Sequence, residues 1–432
     1  MKIGLISPKA NFLSRNSEFQ EFWSKSKHTE VFRQRWSGIG SGLLVVAGLT
    51  PQSFEVEVID ENLEEVDFSR KYDLVGITAM TNQALRAYKI SDNFRNRGIK
   101  VVIGGIHSTV LPEEAMQHAD SVVVGGAEYL WPELLADFQD NKLKPVYKSE
   151  KPVDLKDSPL PRYDLLKSKS YRIIWIQTTR GCPHDCEFCA ATSVFGRKYR
   201  HKSIEQIINE IRFIKKLFGK TFIGFGDDNF LVDKKFCQSL LERIVPLKIR
   251  WFAETDISIA RDDKLLHLLR KSGCFFLFIG FETISEEGLK TINRNGWKFR
   301  QLKYYSSFIK KIQSYGIGVM GAFIIGLDSD DASIFTKISN FIIENNLYDA
   351  QISVLTPLPG TRLRARLEKE GRLLRTNWEN FSVFDVNFIH PKLTKHELEK
   401  GLCEIYKNIN SKEVYLKRMR YHKEILKELM EV

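Results

Sequence analysis

Along the first 135 residues, short apolar, β-branched runs alternate with stretches of helical periodicity. The runs are KIGLIS (2–7), EVEVID (55–60), DLVGIT (73–78), KVVIGG (100–105) and SVVVGG (121–126). Nearly continuous apolar strands are what a parallel sheet buried on both faces requires. Between the third and fourth, Ala84, Ala87, Ile90 and Phe94 recur at helical spacing, and Gly98 is placed to end the helix. The pattern predicts a doubly wound α/β domain over residues 1–140. Ligands of such sheets sit at the carboxyl ends of the strands. Here those ends carry Thr78, Ala79, Met80 and Thr81; then Gly104, Gly105, Ile106, His107, Ser108 and Thr109; then Gly125, Gly126, Ala127 and Glu128. Glycines at such points either let a ligand approach the backbone or simply make tight strand-to-helix turns.

Residues 141–170, rich in Pro, Lys and Asp, read as a linker. A second αβ series follows over 171–375, with strands predicted at 173–178, 222–227, 249–254, 275–281, 318–326 and 350–356. The clearest helix lies between the first two. Ser203 and Gln206 form a capping-box pattern, and Ile204, Ile207, Ile208, Ile211 and Ile214 make one apolar face. Six βα units are too few for a closed eight-stranded barrel and fit an open, partial one. After TPLPGTRL the pattern changes, and residues 376–432 read as a mostly helical carboxyl-terminal domain.

Composition adds exclusions. At 43% hydrophobic and 28% charged residues, the balance is that of an ordinary soluble chain. No apolar run approaches the ~20 residues of a membrane-spanning helix. MKIGLISPKA lacks a signal-peptide layout, so a cytoplasmic location is expected. The net charge of +11 permits anionic partners, but the basic residues are scattered. The densest patch, YLKRMRYHKEILKE (415–428), reads as a solvated helix face and leaves room for peripheral membrane contact. No basic-aromatic module appears, which argues against a nucleic-acid partner.

Six cysteines are too few for a disulfide scaffold, yet three fall within eight residues: Cys182, Cys186 and Cys189 in TTRGCPHDCEFC (178–189). Three thiolates on one tight loop can hold three irons of a 4Fe–4S cluster and leave the fourth iron open. A structural zinc site would close with a fourth ligand, and His184 lies inside the loop, but no second cysteine pair exists. An iron–sulfur or zinc protein that binds RNA is the non-enzymatic alternative. Cys237, Cys274 and Cys403 stand alone and read as buried thiols.

The spacing of CPHDCEFC, with Phe188 just before the third cysteine and a strand just before the loop, resembles the signature of the radical S-adenosylmethionine (radical SAM) enzymes. The resemblance implies that the open iron chelates S-adenosylmethionine, whose reductive cleavage yields a 5′-deoxyadenosyl radical. It also implies an electron donor such as flavodoxin or ferredoxin. Further positions would contact S-adenosylmethionine: Phe188; Gly226, Asp227 and Asp228 in GFGDDNF, a departure from the usual Gly-Gly-Glu; Glu254; Glu282 in IGFET; and Gly321 and Gly326 in GAFIIG.

An α/β domain ahead of such a barrel resembles the cobalamin-binding subgroup, and VVIGGIHSTVLPEEAMQHADSVVVGGAEYLWPELL is similar to it. The corrin would then sit on the three loops named above. Many cobalamin proteins carry a cobalt-ligating His after the first strand. Here that loop reads SPKANFLS, so cobalamin is expected without a histidine on cobalt; His107 is the substitute candidate. The resemblance points first to methylation of an unactivated carbon of a small molecule or lipid, and second to oxidation or cyclisation of a tetrapyrrole or lipid.

Overall fold

The computed structural model describes residues 1–10, 14–26, 39–167, 171–292 and 295–431. Its frame is two six-stranded sheets, each wholly parallel. The first contains β1 (Lys2–Ser7), β2 (Glu55–Asp60), β3 (Leu74–Thr78), β4 (Lys100–Gly104), β5 (Ser121–Val124) and β6 (Val146–Lys148), in the order β2-β1-β3-β4-β5-β6. Five of these lie where the apolar runs predict. The sixth comes from the stretch read as a linker. With three residues and only Tyr147 buried, it is too short to show an alternation.

The second sheet runs β7 (Ile173–Ile176), β10 (Phe222–Phe225), β11 (Arg250–Thr255), β12 (Cys274–Glu282), β13 (Gly318–Ile325) and β14 (Asp349–Val354), in that spatial order. It is the predicted open half-barrel. Between β7 and β10, β8 (Thr179–Arg180) and β9 (Arg200–His201) pair as a small antiparallel ribbon.

The helices follow the local signals. Ser203 caps the helix Ile204–Phe218, its reciprocal bond with Gln206 is made, and Ile207, Ile208, Ile211 and Ile214 are fully buried. The helix Ala84–Arg95 covers one face of the first sheet with Ala84, Ala87, Ile90 and Phe94. The other face of that sheet, with Leu5, Leu74, Val102 and Val123, belongs to one apolar cluster that continues into the barrel.

The barrel strands are two-sided in a different way. Their helix-facing positions, such as Leu277, Ile279, Phe323 and Ile352, are fully buried. The alternate positions Phe278, Gly280, Ala322, Ile324, Gln351 and Ser353 are only half-buried, so they line an open lumen. An aromatic ladder of Phe222, Phe252, Phe276 and Tyr348, stacked with centroids 4.6–6.0 Å apart, fills the amino-terminal end of that lumen. Access is therefore from the carboxyl ends of the strands.

The carboxyl-terminal region closes the assembly with the helices Lys395–Ile409 and Lys412–Glu431. Phe384 and Tyr406 pack on Phe19 of the first helix, Ser17–Lys25. Trp378 donates to Glu114 of the first domain at 2.8 Å. Among the described residues, no helix is long and apolar enough to cross a membrane.

Candidate active site

The cysteine loop leaves the ribbon strand β8. Gly181 precedes it, where a Cβ would run into the Lys198 carbonyl. Cys189 stands at the start of the short helix Ala190–Phe195. The loop is held from outside by arginines on the helix Arg362–Lys369. Arg362 binds Asp185 at 3.0 Å, and Arg366 binds Glu187 at 2.8 Å and Asp328 at 2.7 Å. His184 is engaged with Asp256 at 3.5 Å, and its ring lies tilted against Trp297 with centroids 4.5 Å apart. Burial opposes the Asp256 charge, but His184, Ser258 and Asn229 outweigh it and hold that carboxyl down to about 2.

All six cysteines are free, and Cys237, Cys274 and Cys403 are buried as expected. Burial pushes Cys182 up to about 11 and Cys186 up to about 12, and the neighbouring thiols add to both shifts. Three thiols close enough to sense one another, and costly to ionise alone, suit a polynuclear cationic centre, because metal coordination deprotonates a thiol outright. Among the described residues, no three His, Cys, Asp or Glu side chains are gathered to hold a single metal ion. A cluster needs no such gathering, since each thiolate binds a different iron.

The acids divide sharply. Asp227 is fully buried and accepts from the Thr178 and Thr179 amides, both at 2.7 Å, and from the Thr178 hydroxyl. It cements the turn out of β7, and its side chain is not offered to a ligand. Burial pushes it up to about 7 despite those bonds. Asp228 points the other way: it accepts from the Gly181 amide and raises the pKa of Cys182 and Cys189. Gly226 is exposed to the lumen above Trp175. The side chain of Glu254, half-buried at the end of β11, has no hydrogen-bond partner among the described residues; burial, then Asp228, Asp227 and Glu282, push it up to about 8.

Glu282 ends β12 and pairs with buried Lys298 at 2.5 Å, and Lys298 also donates to the Gly280 carbonyl at 2.8 Å. Burial works against the ammonium, but Glu282 and Cys186 outweigh it and hold Lys298 above its ordinary range. Phe188 is half-buried against the barrel core. Gly321 in β13 and Gly326 just after it border other groups. A Cβ on Gly321 would meet Phe323, Leu347 and Phe281 in the helix-facing core, and Gly326 sits under Phe388 and Leu398. Their small size serves packing on the side away from the lumen.

The first-sheet loops also divide. His107 is 1% exposed, with Nδ1 3.3 Å from the Thr81 hydroxyl and Nε2 3.3 Å from Glu114, so both ring nitrogens are occupied inside the domain. Burial, against Glu114, holds it below its ordinary pKa. Neither ring nitrogen is turned to the open strand ends in this arrangement. Thr81 and Ser108 are likewise buried, bonded to His107 and to the Gly105 carbonyl. Ala79 is buried; its carbonyl accepts from the His107 amide at 3.0 Å. Thr109 ties two loops by donating to the Gly105 carbonyl at 2.7 Å and accepting from the Gly125 amide at 3.0 Å.

Glu128 is buried in an ion pair with Arg180 at 2.7 Å, and Gly126 is bare because a Cβ would crowd Val153 and Glu128. The surface left for a large ligand is Met80, 52% exposed, and Gly125, which is exposed and where an added Cβ would have nothing within 4 Å. Half-buried Thr78, Gly104, Ile106 and Ala127 border it. That open patch at the strand ends fits a flat, bulky group. In the loop SPKANFLS, residues 11–13 lie outside the described residues.

Among known families, residues 176–342 match the radical SAM superfamily, residues 37–135 the B12-binding domain and residues 361–431 a domain of unknown function. Over 429 residues the chain is 31% identical to the bacteriochlorophyllide d C-12(1)-methyltransferase of Chlorobaculum tepidum, covering 96% of this chain and 93% of the relative. This chain belongs to the radical SAM superfamily, in the group with an amino-terminal B12-binding domain.

The cofactors of this radical SAM enzyme are a 4Fe–4S cluster, S-adenosylmethionine and cobalamin. The C-8(2)-methyltransferase of the same organism is 30% identical, covering 84% of each chain. The fold is shared with the radical SAM methyltransferase TsrM of Kitasatospora setae, solved with cobalamin and a 4Fe–4S cluster: TM-score 0.69, 14% identity, 94% of this chain and 90% of that one.

Residues that the motifs did not single out are Lys298, Arg180 and the Arg362–Arg366 clamp. Lys298 lies 16 residues from Glu282, and only the tertiary fold brings them together. Arg180 does abut the cysteine motif, and that adjacency was the one available signal.

Proposed function

We propose that this enzyme methylates an unactivated carbon of a small, largely apolar, ring-bearing substrate, with a chlorophyllide-type tetrapyrrole the first to test and a lipid the second. One juxtaposition carries the reading. The helix Ile106–Val110, which follows β4, lies against the helix Ala190–Phe195, which follows the cysteine triad. The corrin-side loops and the cysteine loop thus open on one shared space above the lumen. The full-length likeness to two methyltransferases supports the same reading.

Cys182, Cys186 and Cys189 would hold the cluster. Asp228 would take the amino group of S-adenosylmethionine, and Glu254 and Glu282, at the ends of β11 and β12, its ribose hydroxyls. Phe188 and Gly226 border the same space. When bound, the cluster and S-adenosylmethionine supply a hydrogen-abstracting radical, and cobalamin supplies the methyl carbon. Phe278, Ala322 and Ile324 give the lumen an apolar wall, and Gln351 and Ser353 give it a polar one. This suits a ring body carrying an oxygen substituent. A flavodoxin- or ferredoxin-type protein would deliver the electron.

The test is anaerobic incubation of the reconstituted protein with methyl-labelled S-adenosylmethionine and bacteriochlorophyllide, followed by mass spectrometry. A labelled product one methylene heavier is expected. An unlabelled oxidised or ring-closed product would replace methylation with the cyclase-type reaction.

A further inference from the structure

A buried ion pair joins the two halves of the molecule, and its side chains are turned into the protein rather than toward the open patch. Arg180 stands two residues before Cys182, at the end of β8. Its Nη2 lies 2.7 Å from Glu128 Oε1, its Nε donates to the Gln177 side chain at 2.8 Å, and its guanidinium lies over Phe195. Glu128 belongs to the third loop of the first sheet, and its Oε1 also accepts from Ser158 at 2.7 Å. Both residues are buried. Beside them Arg200, opposite Arg180 in the ribbon, donates to the Val153 carbonyl at 2.8 Å and to the Phe195 carbonyl at 2.6 Å. Gly126 makes the space: a Cβ there would stand 2.9 Å from Glu128 Oε2 and 3.2 Å from Arg180 Nη1.

A buried pair of this kind is weak evidence for stability, because desolvating two charges offsets much of their attraction. Its geometry is its informative property. One end is rooted in the loop that borders the open patch at Gly125. The other is rooted in the strand that launches the cysteine loop, next to Asp228. Apolar packing tolerates sliding, whereas a two-ended charged hydrogen bond in a dry site does not.

We propose that Glu128 and Arg180 are positioning residues that fix the corrin loop in register with the cysteine loop, so that both cofactors address the same substrate carbon. The inference rests on the methylation reading, in which the two cofactors act in turn on one carbon.

The test uses the full-length protein loaded anaerobically with hydroxocobalamin, iron and sulfide, then reduced. Pulsed electron paramagnetic resonance reads the distance between cob(II)alamin and the reduced cluster, with no substrate needed. Wild type should give one narrow distance. Glu128→Gln should keep iron and corrin content but lose that single distance to a broad distribution. With substrate present, it should make more 5′-deoxyadenosine per methylated product. Should Glu128→Gln fail to fold, the paired replacement Glu128→Met with Arg180→Met, which leaves no charge unpaired, takes its place with the same expected broadening. A distance as narrow as wild type in the folded variant overturns the proposal. Wild type that binds no corrin overturns the methylation reading, and this inference with it, whereas a bound corrin with an unchanged distance overturns the inference alone.

Discussion

The cysteine loop and the corrin-side loops make an instructive pair. Both sit at the carboxyl ends of parallel strands, both are glycine-bearing, and they face each other. In the first, the residues that stand out in the sequence point at the space where chemistry would occur: three thiols, Asp228 and exposed Gly226. In the second, most of them point inward. His107, Thr81, Ser108 and Glu128 are spent on internal bonds, and the bareness of Gly105 and Gly126 is used by the protein's own side chains and backbone. A site that works through side-chain atoms is written into residue identity. A site that works through shape is written into backbone placement, where the same glycine serves a turn, a tight contact or a ligand.

The largest effect should come from the thiols. Replacing Cys186 by Ala removes one of three iron ligands, and cluster iron and 5′-deoxyadenosine formation should fall to background. Full 5′-deoxyadenosine formation in that variant would sink the assignment of the loop.

The next separates the two uses of glycine. Gly105 has φ +97°, and a Cβ there would stand 2.6 Å from the Thr78 hydroxyl and 2.9 Å from the Ala79 amide. Gly105→Leu should therefore destabilise the first domain by about 2–5 kcal/mol, from overpacking plus left-handed strain. Gly125 also has positive φ (+94°) but faces open space. Gly125→Leu should cost only about 1–2 kcal/mol while weakening corrin retention. Thermal unfolding read beside cobalamin absorbance would reverse this assignment if Gly105→Leu melted like wild type.

These contrasts show what the sequence held. The strand runs and the Ser203–Gln206 box were legible because strand period and capping are local. Cys182, Cys186 and Cys189 were legible because their spacing is itself local. The choice between Asp227 and Asp228 was not, because adjacent residues leave a strand end in opposite directions and only the fold says which faces inward. Nor was the pairing of Lys298 with Glu282, or β6, whose three residues carry no period. The packing around Gly321 was hidden for the same reason: its neighbours Phe281 and Leu347 come from other segments.

The paired acids give a finer break. Asp227→Asn forfeits part of a buried three-bond anchor and should cost ~1–3 kcal/mol of stability, with little change in S-adenosylmethionine affinity. Asp228→Asn should do the reverse. Glu282→Ala should leave cluster iron intact and weaken S-adenosylmethionine binding roughly ten- to a hundredfold, equivalent to ~1.5–3 kcal/mol. Calorimetric titration beside thermal melts separates these outcomes, and unchanged affinity in Glu282→Ala would make its pairing with Lys298 purely structural.

The smallest effect concerns Glu254, raised from an ordinary 4.5 to about 8 by burial and three nearby carboxylates. Between those values the unfolded chain releases its proton while the folded protein keeps it, so stability falls as pH rises through the window. Asp227, raised from 3.8 to about 7, adds in the same direction. Asp256, held down to about 2, changes only below the window. Glu254→Gln should therefore melt at a higher temperature than wild type at pH 8 and at the same temperature at pH 4. The ribose hydroxyls of S-adenosylmethionine, donating to Glu254 as proposed, favour the carboxylate. Its binding at pH 7 should then release part of one proton, read as a buffer-dependent binding enthalpy in wild type that disappears in Glu254→Gln. A binding enthalpy independent of buffer in wild type would place Glu254 away from the ligand and leave it an acid buried for reasons of packing alone.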